Sequence, residues 1–109
     1  MTWKIALFRS ARGESPVEEF IKQQDKATYA RILLYIKLLR DNGPFLKPPY
    51  IKKLQSKLYE LRISGKIQIR IFYTLHNNEY YLLHVFKKKS QKTPLKDLKV
   101  ALDRLKGIT

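Results

Sequence analysis

The chain predicts an α+β fold of order β-α-α-β-β-β-α, with helices packed on one face of a small, mainly antiparallel sheet. Three observations predict it. Two helical segments with recognisable start and stop signals occupy the first half. Three strand-length segments then follow one another with only short turns between them, and an amphipathic segment closes the chain. Strands joined by short turns pair antiparallel, and helices segregated from strands form layers rather than βαβ repeats.

In chain order, Trp3, Ile5 and Leu7 alternate with Lys4 and, more weakly, with Ala6 and Phe8, which predicts a short first strand. Ser15-Pro16-Val17-Glu18 starts a helix: Ser15 caps, Pro16 takes the first helical position, and Glu18 completes a capping box. Val17, Phe20 and Ile21 are its buried stripe. A second helix is expected from near Asp25 to about Asp41, with Ala27, Ala30, Leu34 and Leu38 on one face, widened by Ile32, Leu33, Tyr35 and Ile36. Asn42-Gly43-Pro44 ends it, because Gly43 tolerates the left-handed conformation and Pro44 blocks continuation. Residues 44–50, with three prolines, read as an irregular surface connection. Strands follow at about 57–63, 66–74 and 79–86, with turn chemistry at Ser64-Gly65 and His76-Asn77-Asn78. The closing helix spans about 94–105, with Leu95, Leu98, Ala101, Leu102 and Leu105 as its apolar stripe.

With 109 residues, one domain over 1–109 is expected, and a hydrophobic fraction of 44% supports a single core without disulfides or metal. There is no cysteine, which excludes a disulfide framework, thiolate metal sites and a cysteine nucleophile, and fits a cytoplasmic chain. Residues 1–8 are short and alternating and are followed by Arg9 and Arg12, unlike a signal peptide. No apolar run approaches the roughly 20 residues that span a bilayer. A soluble, cytoplasmic protein is expected, without a membrane partner. The net charge is +14, and it is uneven: residues 1–50 hold nine Lys/Arg against five Asp/Glu, residues 51–109 fourteen against four. Such a basic domain meets a polyanion, RNA or DNA rather than membrane, since the basic half reads mainly as strands and not as an amphipathic helix.

Strand periodicity sorts the charged side chains. Tyr59, Leu61 and Ile63 point one way and Leu58, Glu60 and Arg62 the other; Ile67, Ile69, Ile71 and Tyr73 oppose Gln68, Arg70 and Phe72. With the apolar rows under the helices, Glu60, Arg62 and Arg70 share the uncovered face. The run Lys87-Lys88-Lys89-Ser90-Gln91-Lys92-Thr93-Pro94 leaves the last strand beside it. This set suits cleavage of a phosphodiester by its neighbouring 2′-hydroxyl. Arginine forks stabilise the charged transition state, lysine supplies a point charge or a proton, and Glu60 is the one carboxylate able to act as base. No metal or other cofactor is required. Glu60 and Arg62 equally fit a surface ion pair of little energetic weight, and the lysine run a solvated loop. His84, on the parity of Leu82 and Phe86, is a packed or hydrogen-bonded histidine or else a general base. Tyr73, Tyr80 and Tyr81 serve the core or stack on bases.

Ser15-Pro16-Val17-Glu18-Glu19-Phe20, Lys53-Leu54, Leu58-Tyr59-Glu60-Leu61-Arg62, Arg70-Ile71-Phe72-Tyr73, Leu83-His84-Val85-Phe86-Lys87-Lys88-Lys89 and Gln91-Lys92-Thr93-Pro94, with Ala101 and Arg104 later, form one series. It resembles the phage-derived Gp49-like/HigB branch of the RelE/ParE toxin superfamily over about residues 3–105. The resemblance implies a RelE/ParE-like fold and a small basic toxin of a type II toxin–antitoxin module. RelE-like members cleave mRNA in the ribosomal A site by 2′-hydroxyl attack, leaving a 2′,3′-cyclic phosphate. Position by position, it implies Arg62 and Arg70 at the scissile phosphate and Lys88 or a neighbour at the basic loop. Lys53, Lys87, Lys89, Lys92 and His84 are the candidate RNA- or ribosome-binding residues. Glu60 stands where some RelE-like members carry lysine, and the C-terminal tyrosine of some members has no match after Thr93. The implied partners are mRNA, the ribosome and a cognate antitoxin, commonly a helix-turn-helix (HigA-like) protein. Operator DNA is reached only through the antitoxin complex.

Three functions compete on this reading: a ribosome-dependent mRNA endonuclease, a ParE-like gyrase inhibitor, and a phage protein that only binds RNA. The Glu60/Arg62/Arg70 set beside the lysine loop favours the first, because gyrase inhibition does not call for a phosphate-activating constellation.

Overall fold

In the computed structural model, which describes residues 2–108, the elements run β1 (Lys4–Leu7), α1 (Pro16–Lys22), α2 (Lys26–Asn42), a 3-10 turn (Gly43–Phe45), β2 (Ile51–Gln55), β3 (Leu58–Ile63), β4 (Ile69–His76), β5 (Glu79–Lys87) and α3 (Leu95–Lys106). The strands form one sheet of order β1-β5-β4-β3-β2. The pairs β2–β3, β3–β4 and β4–β5 are antiparallel, and β1 joins parallel to β5. The α+β class and the mainly antiparallel sheet agree with the sequence reading. No helix among the described residues is long and apolar enough to cross a membrane.

Two features of the sheet and its layers differ from expectation. The first is β2, absent from the sequence reading. Ile51-Lys52-Lys53-Leu54-Gln55 lies on the sheet edge, where exposed lysines discourage further strand pairing and also erase the apolar alternation that marks a strand. The second is the placement of α3. The helices do not all lie on one face. Val17, Ile21, Ile32 and Leu39 of α1 and α2 pack with Leu61, Ile63, Ile69, Ile71, Tyr73, Leu82 and Val85 on one side of the sheet. Ala101 and Leu105 of α3 pack with Leu58, Phe72, Leu83 and Phe86 on the other. The residues assigned to an uncovered face are therefore partly roofed by α3. Its contact is tied by Arg104, whose guanidinium donates to the Leu83 carbonyl at 2.8 Å and lies 5.0 Å from the Phe8 ring centroid.

The apolar stripe of α2 is also rotated from the expected one. Ile32 and Leu39 are buried, with Tyr35, Ile36 and Leu38 packed beside them, whereas Ala27 and Ala30 are exposed and Leu33 and Leu34 remain 44% and 55% exposed. Because apolar residues surround most of this helix, periodicity alone does not choose the buried side. The helix ends where expected. Gly43 has φ +53, and a Cβ there would lie 2.5 Å from the Trp3 ring, so glycine both permits the turn and admits the indole.

Both first helices are capped at their N-termini, the first by Ser15 as expected. The Ser15 hydroxyl accepts the Glu18 N–H at 3.4 Å, although the Glu18 carboxylate turns to Lys22 at 3.1 Å instead of closing the box. Asp25 accepts the Thr28 N–H at 2.8 Å. That backbone bond, then the Thr28 side chain, hold the Asp25 carboxyl below its ordinary value of 3.8, with a smaller contribution from Lys87. A depressed carboxyl stabilises the fold above its unfolded value and ceases to do so as pH falls through the folded one. Asp25→Asn keeps a capping acceptor but removes the titration. Urea unfolding should therefore show a shallower loss of stability below pH 3.8 in this variant than in the native chain.

Candidate functional site

Register places the charged side chains in two rows on the α3 side of the sheet. Arg62 of β3 stands directly opposite Arg70 of β4, which stands opposite Phe86 of β5. In the next row Lys52 of β2 opposes Glu60, Glu60 opposes Phe72, and Phe72 opposes His84. Directly opposed residues point to the same face. Glu60, Arg62 and Arg70 are thus brought together as predicted.

His84 reaches this face by a route that parity did not foresee. Tyr73 pairs with Leu82 and Phe72 with His84, leaving Leu83 as an extra residue in β5. The bulge reverses the alternation, so Leu82 faces the α1–α2 core while His84 and Phe86 face α3. His84 Nε2 lies 2.6 Å from Asp97 Oδ1 in the first turn of α3, and its ring stacks on Phe86 at a centroid distance of 5.7 Å.

Beside the arginine row lies an open cleft of about 510 Å³, lined by Arg62, Gln68, Arg70, Lys88, Lys89, Ser90 and Gln91. Four of these are cationic and none is a carboxylate. The loop is held to the sheet by the Lys88 N–H, which donates to the Gln68 carbonyl at 2.8 Å. Within the loop, the Ser90 hydroxyl donates to the Lys92 carbonyl at 3.1 Å. The backbone that carries Lys88 is therefore fixed to the sheet beside the guanidinium groups.

Glu60 does not line the cleft. It is 1% exposed, and its Oε1 accepts the Arg62 Nε–H at 3.1 Å. That bond consumes Nε and spares the two terminal nitrogens of the fork. Glu60 Oε2 and Arg70 Nε are buried with no hydrogen-bond partner among the described residues. The Arg70 fork donates from Nη1 to the Ile69 carbonyl at 3.0 Å and to Gln68 at 3.4 Å. Burial lowers the Arg70 pKa, Glu60 opposes that shift and Arg62 adds to it, though a guanidinium stays charged throughout.

Two like charges directly opposed across a strand pair are unfavourable, and here one of them is partly desolvated. Such a pair is poised for an anion. Inorganic phosphate should accordingly raise the thermal midpoint of the native protein, by an amount that grows with the logarithm of its concentration above Kd. The same titration on Arg62→Gln/Arg70→Gln should give no rise beyond that of a salt control.

Other predicted binding residues lie elsewhere. Lys87 opposes Ile69, a residue of the α1–α2 core, and acts electrostatically on Asp25, so it faces away from the cleft. Lys53 opposes Tyr59, which packs toward the same core. Lys92 is exposed beyond the cleft lining. Conversely, sequence reasoning did not single out Lys52 or Asp97, and it placed Gln68, Ser90 and Gln91 beside the site without giving them a role. Gln68 shares the parity of Arg70 and was within reach of the same argument. Lys52 needed the edge strand to be recognised, and nothing local distinguishes Asp97 from any acid in a first helical turn.

Comparison with curated proteins finds no significant match. Residues 19–106 match the family described as phage derived protein Gp49-like (DUF891), a span that includes every residue lining the cleft. That family is toxin-like, lies within the RelE/ParE-like toxin superfamily, and implies an antitoxin partner in general. The three-helix, five-strand architecture is compatible with a RelE-like fold. With four-fifths of its length matched, the chain belongs to the Gp49-like family of phage-derived proteins.

Proposed function

We propose that this protein is the toxin of a type II toxin–antitoxin module and acts as a ribosome-dependent mRNA endonuclease of the HigB kind. The observation that carries this reading is the Arg62–Arg70 pair, opposed across β3 and β4 in a cleft shared with Lys88 and Lys89 and free of carboxylates. The substrate phosphate sits between the two forks. The neighbouring ribose 2′-oxygen attacks phosphorus, the bond to the 5′-oxygen breaks, and the strand ends as a 2′,3′-cyclic phosphate and a 5′-hydroxyl. Charge gathers on the nonbridging oxygens as this happens, where guanidinium donors already in place lower the barrier without reorganisation. Lys88 gives its proton to the departing 5′-oxygen. Lys89 holds the flanking backbone, and Lys53, Lys87 and Lys92 contribute to the wider field that draws the protein to ribosomal RNA.

Glu60 has a supporting part in this scheme. A carboxylate excluded from the cleft does not abstract the substrate proton; it holds Arg62 by Nε and turns the rest of the fork outward. The partner is an antitoxin of the helix-turn-helix, HigA-like type, whose complex with the toxin carries the operator binding.

Induced expression followed by primer-extension mapping of translated mRNA tests the proposal. Discrete breaks within coding regions are expected, dependent on translation and bearing cyclic phosphate ends. Intact mRNA accompanied by DNA breaks would instead establish gyrase poisoning, and intact RNA and DNA would leave binding alone.

A further inference from the structure

We infer that His84 is the general base of the cleavage, with Asp97 as the residue that positions it; this rests on the endonuclease reading and assigns the proton acceptor that Glu60 is too buried to be. Three independent features of the chain converge on His84. The β5 bulge turns it out of the α1–α2 core onto the α3 side of the sheet, where it stands beside the arginine row that borders the cleft without itself lining the cleft, and bulges re-aim side chains in this way beside active sites. Asp97, from a different element, meets Nε2 at 2.6 Å. Phe86 lies flat against the ring, with an interplanar angle of 19°.

The hydrogen bond determines which nitrogen is available. A carboxylate accepts, so Nε2 carries the hydrogen in the neutral ring and Nδ1 keeps its lone pair. Nδ1 has no protein partner among the described residues and is not enclosed. Arg70 opposes Phe86, two residues from His84, which makes His84 its diagonal neighbour across the strand pair. Diagonal neighbours stand about 7–8 Å apart, a gap that one nucleotide bridges when its phosphate rests on the Arg70 fork and its 2′-hydroxyl faces the imidazole.

The proton balance closes within the chain. The 2′-hydroxyl proton passes to His84 Nδ1 as the 2′-oxygen bonds to phosphorus, and the imidazolium is stabilised by Asp97. The P–O5′ bond breaks and the 5′-oxygen takes a proton from Lys88. His84 then returns its proton to solvent and Lys88 regains one, so nothing is consumed. Asp97 meets the ring, and the other charged groups on the elements packed about it are Arg104 from α3, Glu60 along the row on β3, Arg70 on β4 and Lys88 just past the end of β5. A histidine that merely staples α3 to the sheet would serve stability and leave the reaction's pH dependence alone.

Single-turnover cleavage on mRNA-programmed ribosomes, followed between about pH 5 and 8, separates the two roles. The native protein should lose rate on the acid side, where the imidazole is protonated and cannot accept. His84→Gln should be slower by about 10²–10⁴-fold and lose that acid limb. Asp97→Asn should lower kcat with little change in KM and displace the limb. Added imidazole should restore part of the rate of His84→Ala, a readout that does not depend on the ring's contacts in the fold. Native cleavage with an undiminished rate and an intact acid limb in His84→Gln, or no imidazole rescue of His84→Ala, would overturn the assignment alone. Absence of cleavage by the native protein would overturn the endonuclease reading and this inference with it.

Discussion

Replacing Arg70 with alanine should slow mRNA cleavage by about 10²–10³-fold, equivalent to about 2.7–4 kcal/mol of transition-state stabilisation, without lowering the stability of the fold. The two halves of this expectation have one physical origin. Arg70 is half-buried, its Nε has no hydrogen-bond partner among the described residues, and Arg62 stands directly opposite it. In the free protein burial disfavours its charge by more than the attraction of Glu60, itself opposed by Arg62, offsets, and removing the side chain relieves that penalty. In the proposed reaction that cost is returned only when negative charge grows on a phosphate between the two forks. A residue kept for stability shows the opposite profile, with the melting temperature falling and the rate following. Arg70→Lys should recover only part of the rate, since an ammonium cannot grip two oxygens in the plane of a fork. The double variant Arg62→Ala/Arg70→Ala should be less impaired than the product of the single defects, because in the proposed reaction both side chains act on one phosphate. Thermal melting and single-turnover rates on the same preparations decide the matter. A full cleavage rate in Arg70→Ala would remove the cleft from the reaction path.

Strand parity placed Glu60, Arg62 and Arg70 on one face because β3 and the paired part of β4 alternate without interruption. It grouped His84 rightly with Phe86 but wrongly with Leu82, because one inserted residue inverts the alternation across it, and Leu83 resembles any other apolar strand residue. The side covered by α3 was also illegible. Leu98, Ala101, Leu102 and Leu105 state that the helix must be buried, yet either face of the sheet offers apolar area: Leu61, Ile69 and Ile71 on one, Leu58, Phe72 and Leu83 on the other. The clue lay in those last three, which are too apolar for a face left to water. Recognising it would have roofed Glu60 and withdrawn it as a base. The lysine run divides for a similar reason. Lys87 is still in β5 and obeys its pleat, pointing to the α1–α2 side, whereas Lys88 and Lys89 have left the strand and turn to the cleft.

Phe72→Ala should cost about 3–5 kcal/mol of unfolding free energy, a large share of the roughly 5–15 kcal/mol available to a domain of this kind. Phe72 is fully buried in the smaller of the two clusters, the one that seats α3. Its ring meets Phe86 edge-on at 5.1 Å and His84 at 6.4 Å. Few other large side chains in that cluster can move into the space, so a cavity remains beneath the helix and the lost dispersion contacts are not recovered. The α1–α2 cluster lies across the sheet and keeps its own packing. The damage should therefore be uneven. Hydrogen exchange should show amides of α3 losing protection before those of α2, and the difference between the two helices should widen relative to the native protein. Cleavage should suffer as well, since α3 carries Asp97 and the chain entering it forms the basic loop, yet this loss should be reversible by conditions that favour the folded state. Phe72→Leu, which refills most of the volume, should restore both protection and rate. Equal loss of protection in α2 and α3 would instead mean that the two clusters unfold as one unit, and the sheet would then have to be regarded as transmitting the defect from one face to the other.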